Sequence, residues 1–269
     1  MSARTREPAS VAARPGTLQR GYFWLSARPL HILVFLTPVI IAAELGAIGL
    51  GVEPVGAKLE AHRMLVRFFE LFGVLGLHLP ALALVVALLA QHILSRDRWR
   101  IEPIVPAAMV VESAFLTGPL LICVLILQPM TAAPAAAATA SLAAEPNLLS
   151  PRSGILLALG AGLYEEMLFR LVIITAVHFV AADLLRTPDR PARILAVLIS
   201  AVLFALHHDT SLPPALGGGT DWRLLSFYLI AGAYFGVLFL GRGLGIAVGV
   251  HACYDLLVLV VMPAFADPA

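Results

Sequence analysis

Seven stretches of this chain are apolar for long enough to cross a bilayer, and that feature leaves little freedom of fold. A spanning helix needs about 20 predominantly apolar residues. Inside hydrocarbon its backbone must satisfy its own hydrogen bonds, as a helix does. The stretches are roughly 31–50, 73–93, 103–127, 153–184, 191–208, 222–240 and 244–262. They predict an all-α, polytopic integral membrane protein of about seven transmembrane helices, or eight if the long fourth stretch is broken. Composition supports this, with 60% hydrophobic and 13% charged residues and a mean hydropathy of +0.91. Soluble domains hold about 25% charged residues, so this chain has too few polar side chains to cover a soluble one.

Pro-, Gly- and Asp-bearing joints at 95–100, 187–190, 213–221 and 241–243 separate the helices. Residues 1–30 read as a tail with several arginines and no apolar core or cleavage site, leading into a retained helix. Helices of an N-terminal membrane part occupy 31–128. An Ala/Pro-rich loop, low in complexity over 131–144, fills 129–152, and 263–269 form a short C-terminal tail. Arginines gather before the first span (Arg4, Arg6, Arg14, Arg20, Arg28), after the second (Arg96, Arg98, Arg100), after the fourth (Arg186, Arg190, Arg193) and after the sixth (Arg242). The alternate loops are poorer, apart from a mixed patch with Lys58, Arg63 and Arg67. Positive loops stay inside, which predicts a cytoplasmic N-terminus and a C-terminus outside. No basic run with interleaved aromatics supports nucleic-acid binding. Cys123 and Cys253 both fall in apolar segments and imply no disulfide framework or zinc-type cysteine pair. Nothing in the sequence fixes an oligomeric state.

The fourth stretch carries charge where charge is expensive: Tyr164-Glu165-Glu166-Met167-Leu168-Phe169-Arg170. Ionisable residues inside a membrane helix cost a few kcal/mol each even on lenient scales, and mark function by default. Glu166 and Arg170 are four apart, share a helix face and can neutralise each other. Glu165 is rotated about 100° away, which leaves it available to a cavity as a general acid or base. Two further polar sets follow. Phe204-Ala205-Leu206-His207-His208 ends the fifth stretch, and His251-Ala252-Cys253-Tyr254-Asp255 lies in the last. His251 and Asp255 share a face, so the carboxylate can accept from one ring nitrogen and orient the other. Such a set can activate a water for attack on a peptide carbonyl, with Glu165 as base and a histidine stabilising the oxyanion. The same atoms can instead hold Zn²⁺ through His208, His251 and Glu165. No HExxH helix is present.

The order Glu-Glu-x-x-x-Arg, Phe-x-x-x-His, His-x-x-x-Asn/Asp resembles the CPBP family of CAAX prenyl endopeptidases and bacteriocin-processing proteins, also called the ABI family of intramembrane proteases. The likeness covers about 153–262, each motif falling on its own expected helix, while the first three spans contribute nothing diagnostic. The resemblance implies a catalytic helical core over 153–262 and an intramembrane endopeptidase with a site inside the bundle. Glu165 would activate water, His208 and His251 would complete the site, Asp255 would support it, and Glu166 and Arg170 belong to the same motif. Asp255 stands where asparagine is commoner, and His207 falls out of register. The expected partners are the lipid bilayer and a membrane-associated or exported protein or peptide substrate. The expected place is a bacterial plasma (inner) membrane. No cofactor is committed to, and the slight preference is for metal-free chemistry because only two histidines match the motif.

Other polar residues weigh less. Glu44 and Glu112 either line a substrate path or pair with an arginine of another helix. His78 and His178 have no partner at helical spacing and read as packing or interfacial residues. Gly232, Ala233, Gly236, Gly245 and Gly249 suit close helix packing. A proton-coupled transporter component would use a similar polar set, but the paired broken helices of such a protein are not evident. A non-catalytic self-immunity member of the same family is the other alternative.

Overall fold

A computed structural model describes residues 16–48, 60–71, 76, 78–127, 151–212 and 218–266. The protein is all-helical. Five helices are long and apolar enough to span a membrane, and two shorter apolar helices accompany them, which makes it a polytopic integral membrane protein. In chain order the described helices are α1 (Gly16–Ser26), α2 (Pro29–Ile48), α3 (Glu60–Glu70), α4 (Leu79–Leu94), α5 (Ile104–Leu116), α6 (Gly118–Leu127), which with α5 makes one spanning unit, α7 (Pro151–Leu184), α8 (Asp189–His207), α9 (Trp222–Arg242) and α10 (Leu244–Ala264).

The seven expected spans each correspond to helix, with three differences. The first two contain the shorter apolar helices Pro29–Leu45 and Leu79–Leu94. The third bends between α5 and α6, where Thr117 Oγ1 donates to the Ser113 carbonyl at 2.9 Å. The fourth runs 34 residues without a break. It bends through π-helical turns at Met167–Ile174 and Phe179–Leu184, so no eighth span arises there. Two helices were not anticipated: α1, inside the stretch read as a tail, and α3, in the mixed-charge patch. The low-complexity segment 131–144 lies outside the described residues.

Local chemistry sets the boundaries. Asp221 caps α9, its carboxylate accepting from Arg223 N at 3.0 Å and Leu224 N at 3.1 Å. Gly243, at φ 85°, ends α9 and lets α10 start at once, a conformation that penalises residues with a Cβ. Two close helix approaches build the core around the polar residues. A Cβ on Gly162 would stand 2.9 Å from Ala252 N, so α7 and α10 touch backbone to backbone. A Cβ on Gly232 would stand 2.9 Å from Ala201 Cα, and one on Gly236 2.9 Å from Val197, so α8 and α9 do the same. A Cβ on Gly245 would stand 3.0 Å from the Met109 side chain of α5. The small residues of the sixth and seventh spans thus serve packing, as the sequence suggests.

Candidate active site

The contact at Gly162 and Ala252 sets Leu163–Glu166, the α-helical turn of α7 before its first π-helical segment, beside His251 of α10. Glu166 and Arg170 are fully buried and His251 and Glu165 nearly so. Arg170 Nη1 lies 3.1 Å from Glu166 Oε1, the expected i, i+4 pair. The guanidinium also donates from Nη2 to the Gly232 carbonyl at 3.3 Å. Its Cζ sits 4.5 Å from the Phe204 ring centroid and 5.0 Å from that of Phe235. Aromatic faces attract a cation by their quadrupole, more so when it is desolvated.

Glu166 has a second partner. His251 Nδ1 lies 2.7 Å from Glu166 Oε1, and a carboxylate only accepts, so Nδ1 carries the proton of that bond. Asp255 Oδ2 lies 3.5 Å from Nε2, the other ring nitrogen, so the expected i, i+4 approach is present, while the hydrogen bond at Nδ1 is made by Glu166, which the sequence did not indicate. Helical spacing brings Asp255 to the right face, but the close α7–α10 approach brings Glu166 nearer. Stacking on Phe235, with centroids 4.7 Å apart and planes 13° apart, fixes the ring further.

His208 closes the other side. It follows the last turn of α8, and its Nδ1 donates to the Phe204 carbonyl at 2.8 Å. Its ring stacks on Tyr228 at 3.9 Å. With both Nδ1 atoms engaged, the two Nε2 atoms face Glu165: Oε2 lies 3.6 Å from that of His208 and 3.9 Å from that of His251. These separations exceed the 2.7–3.2 Å usual for a hydrogen bond, and Oε2 is buried without a hydrogen-bond partner.

The six residues singled out from sequence, Glu165, Glu166, Arg170, His208, His251 and Asp255, therefore come together from α7, the end of α8 and α10. His207 packs edge-on against Phe169 instead, with centroids 5.3 Å apart. The sequence reading missed the contribution of α9. Tyr228, Gly232 and Phe235 lie at i, i+4 and i+7, one helix face, and supply a stacking ring, a carbonyl and a second ring. That spacing was a legible signal. Ser200 was also missed; one turn before Phe204, it donates from Oγ to the Phe169 carbonyl at 2.8 Å and ties α8 to the π-helical turn of α7.

Outside the site, the intramembrane carboxylates are paired. Glu112 accepts from Arg242 Nε at 2.7 Å and Nη2 at 2.8 Å, and from the Tyr22 hydroxyl at 2.5 Å. Glu44 accepts from the Tyr164 hydroxyl at 2.6 Å and is bonded to His78. His178 pairs with Asp189 at 3.0 Å. His78 and His178 thus have partners after all, drawn from other helices where helical spacing could not show them.

Zinc would require His208 Nε2, His251 Nε2 and Glu165 as donors. A tetrahedral zinc with bonds of about 2.0 Å holds its ligands about 3.3 Å apart, and the carboxylate oxygen stands further than that from both nitrogens. Among the described residues no group of three His, Cys, Asp or Glu side chains is arranged to hold a metal ion.

Residues 148–257 match the family model described as type II CAAX prenyl endopeptidase Rce1-like. The matched segment includes all six residues. No curated protein and no solved structure matches the chain.

Proposed function

We propose that this chain, whose residues 148–257 form a domain of the Rce1-like type II CAAX prenyl endopeptidase family, is an intramembrane endopeptidase in which Glu165 activates water. The observation that carries the reading is the convergence of two proton-accepting ring nitrogens on one buried carboxylate oxygen that has no hydrogen-bond partner of its own. A water hydrogen-bonded to Glu165 Oε2 at about 2.8 Å can reach either Nε2 as well. Glu165 takes a proton from that water as its oxygen attacks the scissile carbonyl. The carbonyl carbon becomes tetrahedral and its oxygen takes up negative charge. A histidine whose Nε2 has taken up a proton, as the imidazolium, aims that N–H at the oxygen and stabilises it, and the proton held by Glu165 passes to the leaving amine as the C–N bond breaks. Glu166 and Arg170 act one step back. They fix His251 through Nδ1 so that Nε2 is presented to the reacting atoms.

The proposed catalytic unit is 153–262, and the proposed substrate is a membrane-associated or exported protein. With the N-terminus cytoplasmic, α7 enters from outside and Glu165 lies about 20 Å along it at 1.5 Å per residue. His208 stands at the outer end of α8, so we place the mouth of the site towards the extracytoplasmic face. Labelling of single cysteines at Asp209 and Arg242 tests this. Asp209→Cys should react from outside, and reaction of Arg242→Cys from outside would reverse the orientation. Comparison of protein termini in membranes with and without the chain tests the activity. The reading expects new carboxyl termini that vanish in its absence, and identical termini in both would overturn it. Metal analysis of active protein with a chelator challenge addresses the zinc alternative, and loss of activity restored by zinc would replace the metal-free reading.

A further inference from the structure

The unanticipated helix α3 has three faces, one more than a surface helix needs. Ala61, His62 and Leu65 are buried against the bundle, where α3 packs on α4 and α7. The His62 ring lies 4.4 Å from that of Tyr164, the neighbour of Glu165. Glu60, Arg63, Arg67 and Glu70 form a second face, and Glu60 and Arg63 pair with each other. Between these two faces runs a stripe of Met64, Phe68 and Leu71, which are 43%, 43% and 84% exposed. At 100° per residue these stripe positions fall within one narrow sector. A helix bounded only by protein and water shows one apolar face and one polar face. A helix crossing the bilayer has no charged face, and eleven residues at 1.5 Å each, about 16 Å, are too short to cross.

We propose that α3 lies along one membrane interface, with Met64, Phe68 and Leu71 seated in the glycerol and upper acyl region of the leaflet. Lipid is the occupant because α4, the neighbouring apolar helix, also turns Leu82 and Val86 outwards, 56% and 55% exposed. The charged face balances two acids against two arginines, so the seat is apolar and does not depend on anionic headgroups. Such a helix binds by its buried apolar area. It joins the leaflet to the active-site helix through the His62–Tyr164 contact.

The test needs no substrate. Spin labels are placed singly at Met64→Cys, Phe68→Cys, Leu71→Cys, Arg63→Cys, Arg67→Cys and Glu70→Cys in full-length chain carrying Cys123→Ala and Cys253→Ala. Labelled protein is reconstituted into phosphatidylcholine vesicles with and without phosphatidylglycerol. Labels at 64, 68 and 71 are expected to relax several-fold more with oxygen than with a water-soluble nickel complex. Labels at 63, 67 and 70 should show the reverse, and phosphatidylglycerol should change neither pattern. The proposal is overturned if nickel reaches 64, 68 and 71 as readily as 63, 67 and 70. It is equally overturned if both reagents are excluded from the stripe, which means protein covers it, or if the oxygen preference appears only with phosphatidylglycerol.

Discussion

Two of the charge clusters among the described residues, one around Glu112 and one around Glu165, use their bonding capacity differently. In the cluster of Tyr22, Glu112 and Arg242, both carboxylate oxygens receive a guanidinium N–H, and the phenol adds a third bond. The guanidinium reaches on to Ser26 Oγ at 2.9 Å. That cluster ties α1, α5 and α9 together and presents no unused acceptor to a substrate. In the cluster around Glu165, Glu166 Oε1 meets Arg170 and His251, but Glu166 Oε2, Arg170 Nε and Nη1 and Glu165 Oε2 are buried without a hydrogen-bond partner, and Glu165 Oε2 stands 3.6 and 3.9 Å from two ring nitrogens. A buried polar atom without a partner is costly. A fold that keeps such an atom, Glu165 Oε2, between two histidine rings holds capacity in reserve for water or substrate. Completeness of pairing, rather than burial or charge, separates the structural cluster from the candidate catalytic one.

The largest stability effect should come from breaking the buried Glu166–Arg170 pair of the active cluster. Arg170→Ala strands Glu166 in a fully buried place, and loss of one partner of such a pair costs about 3–5 kcal/mol. Thermal unfolding in detergent should show poorly folded protein. Arg170→Met with Glu166→Gln removes both charges, so it should recover most of the stability without recovering cleavage. Recovered cleavage would mean that the pair does not position His251. Glu112→Ala is expected to cost less, about 2 kcal/mol, because the remaining Arg242 is partly exposed to solvent. Its turnover should stay within about threefold of the native value; a large fall in turnover with unchanged stability would erase the distinction between the clusters.

These contrasts also show what a sequence can reveal. Glu166 and Arg170 were legible as a pair because helical spacing is local, and Glu165 stood out because no arginine lay on its face. The small residues Gly232 and Gly236 announced close packing for the same reason. What sequence could not show depends on which helices meet. Asp255 seemed the natural partner of His251 at i, i+4, yet Glu166, 85 residues away, takes the hydrogen bond. Glu112 finds Arg242 across 130 residues, and His78 finds Glu44 across 34. The helix α3 went unread because its charges looked like a loop, although its apolar residues recur at helical intervals.

The smallest expected effect lies at the end of the bundle where Arg28 meets Asp97. The hydrogen bond from the guanidinium holds the Asp97 carboxyl below its ordinary range. A carboxyl lowered in the folded state contributes stability above its unfolded value, about pH 4. That contribution is lost as pH falls through the lower folded value. Asp97→Asn should therefore lower the melting temperature slightly at neutral pH, converge with the native protein in acid well below about pH 4, and spare cleavage. A profile unchanged by the substitution would mean that the pair is too well solvated to matter.

The central claim is that the unpaired carboxylate performs the chemistry, and one comparison tests it directly. Native protein and Glu165→Gln, matched for melting temperature and reconstituted in the same vesicles, are assayed on a substrate identified from the membrane comparison. The account predicts that Glu165→Gln slows cleavage by about 10²–10⁴-fold, the usual worth of a general base, with the fold intact. Cleavage by Glu165→Gln at the native rate would contradict it.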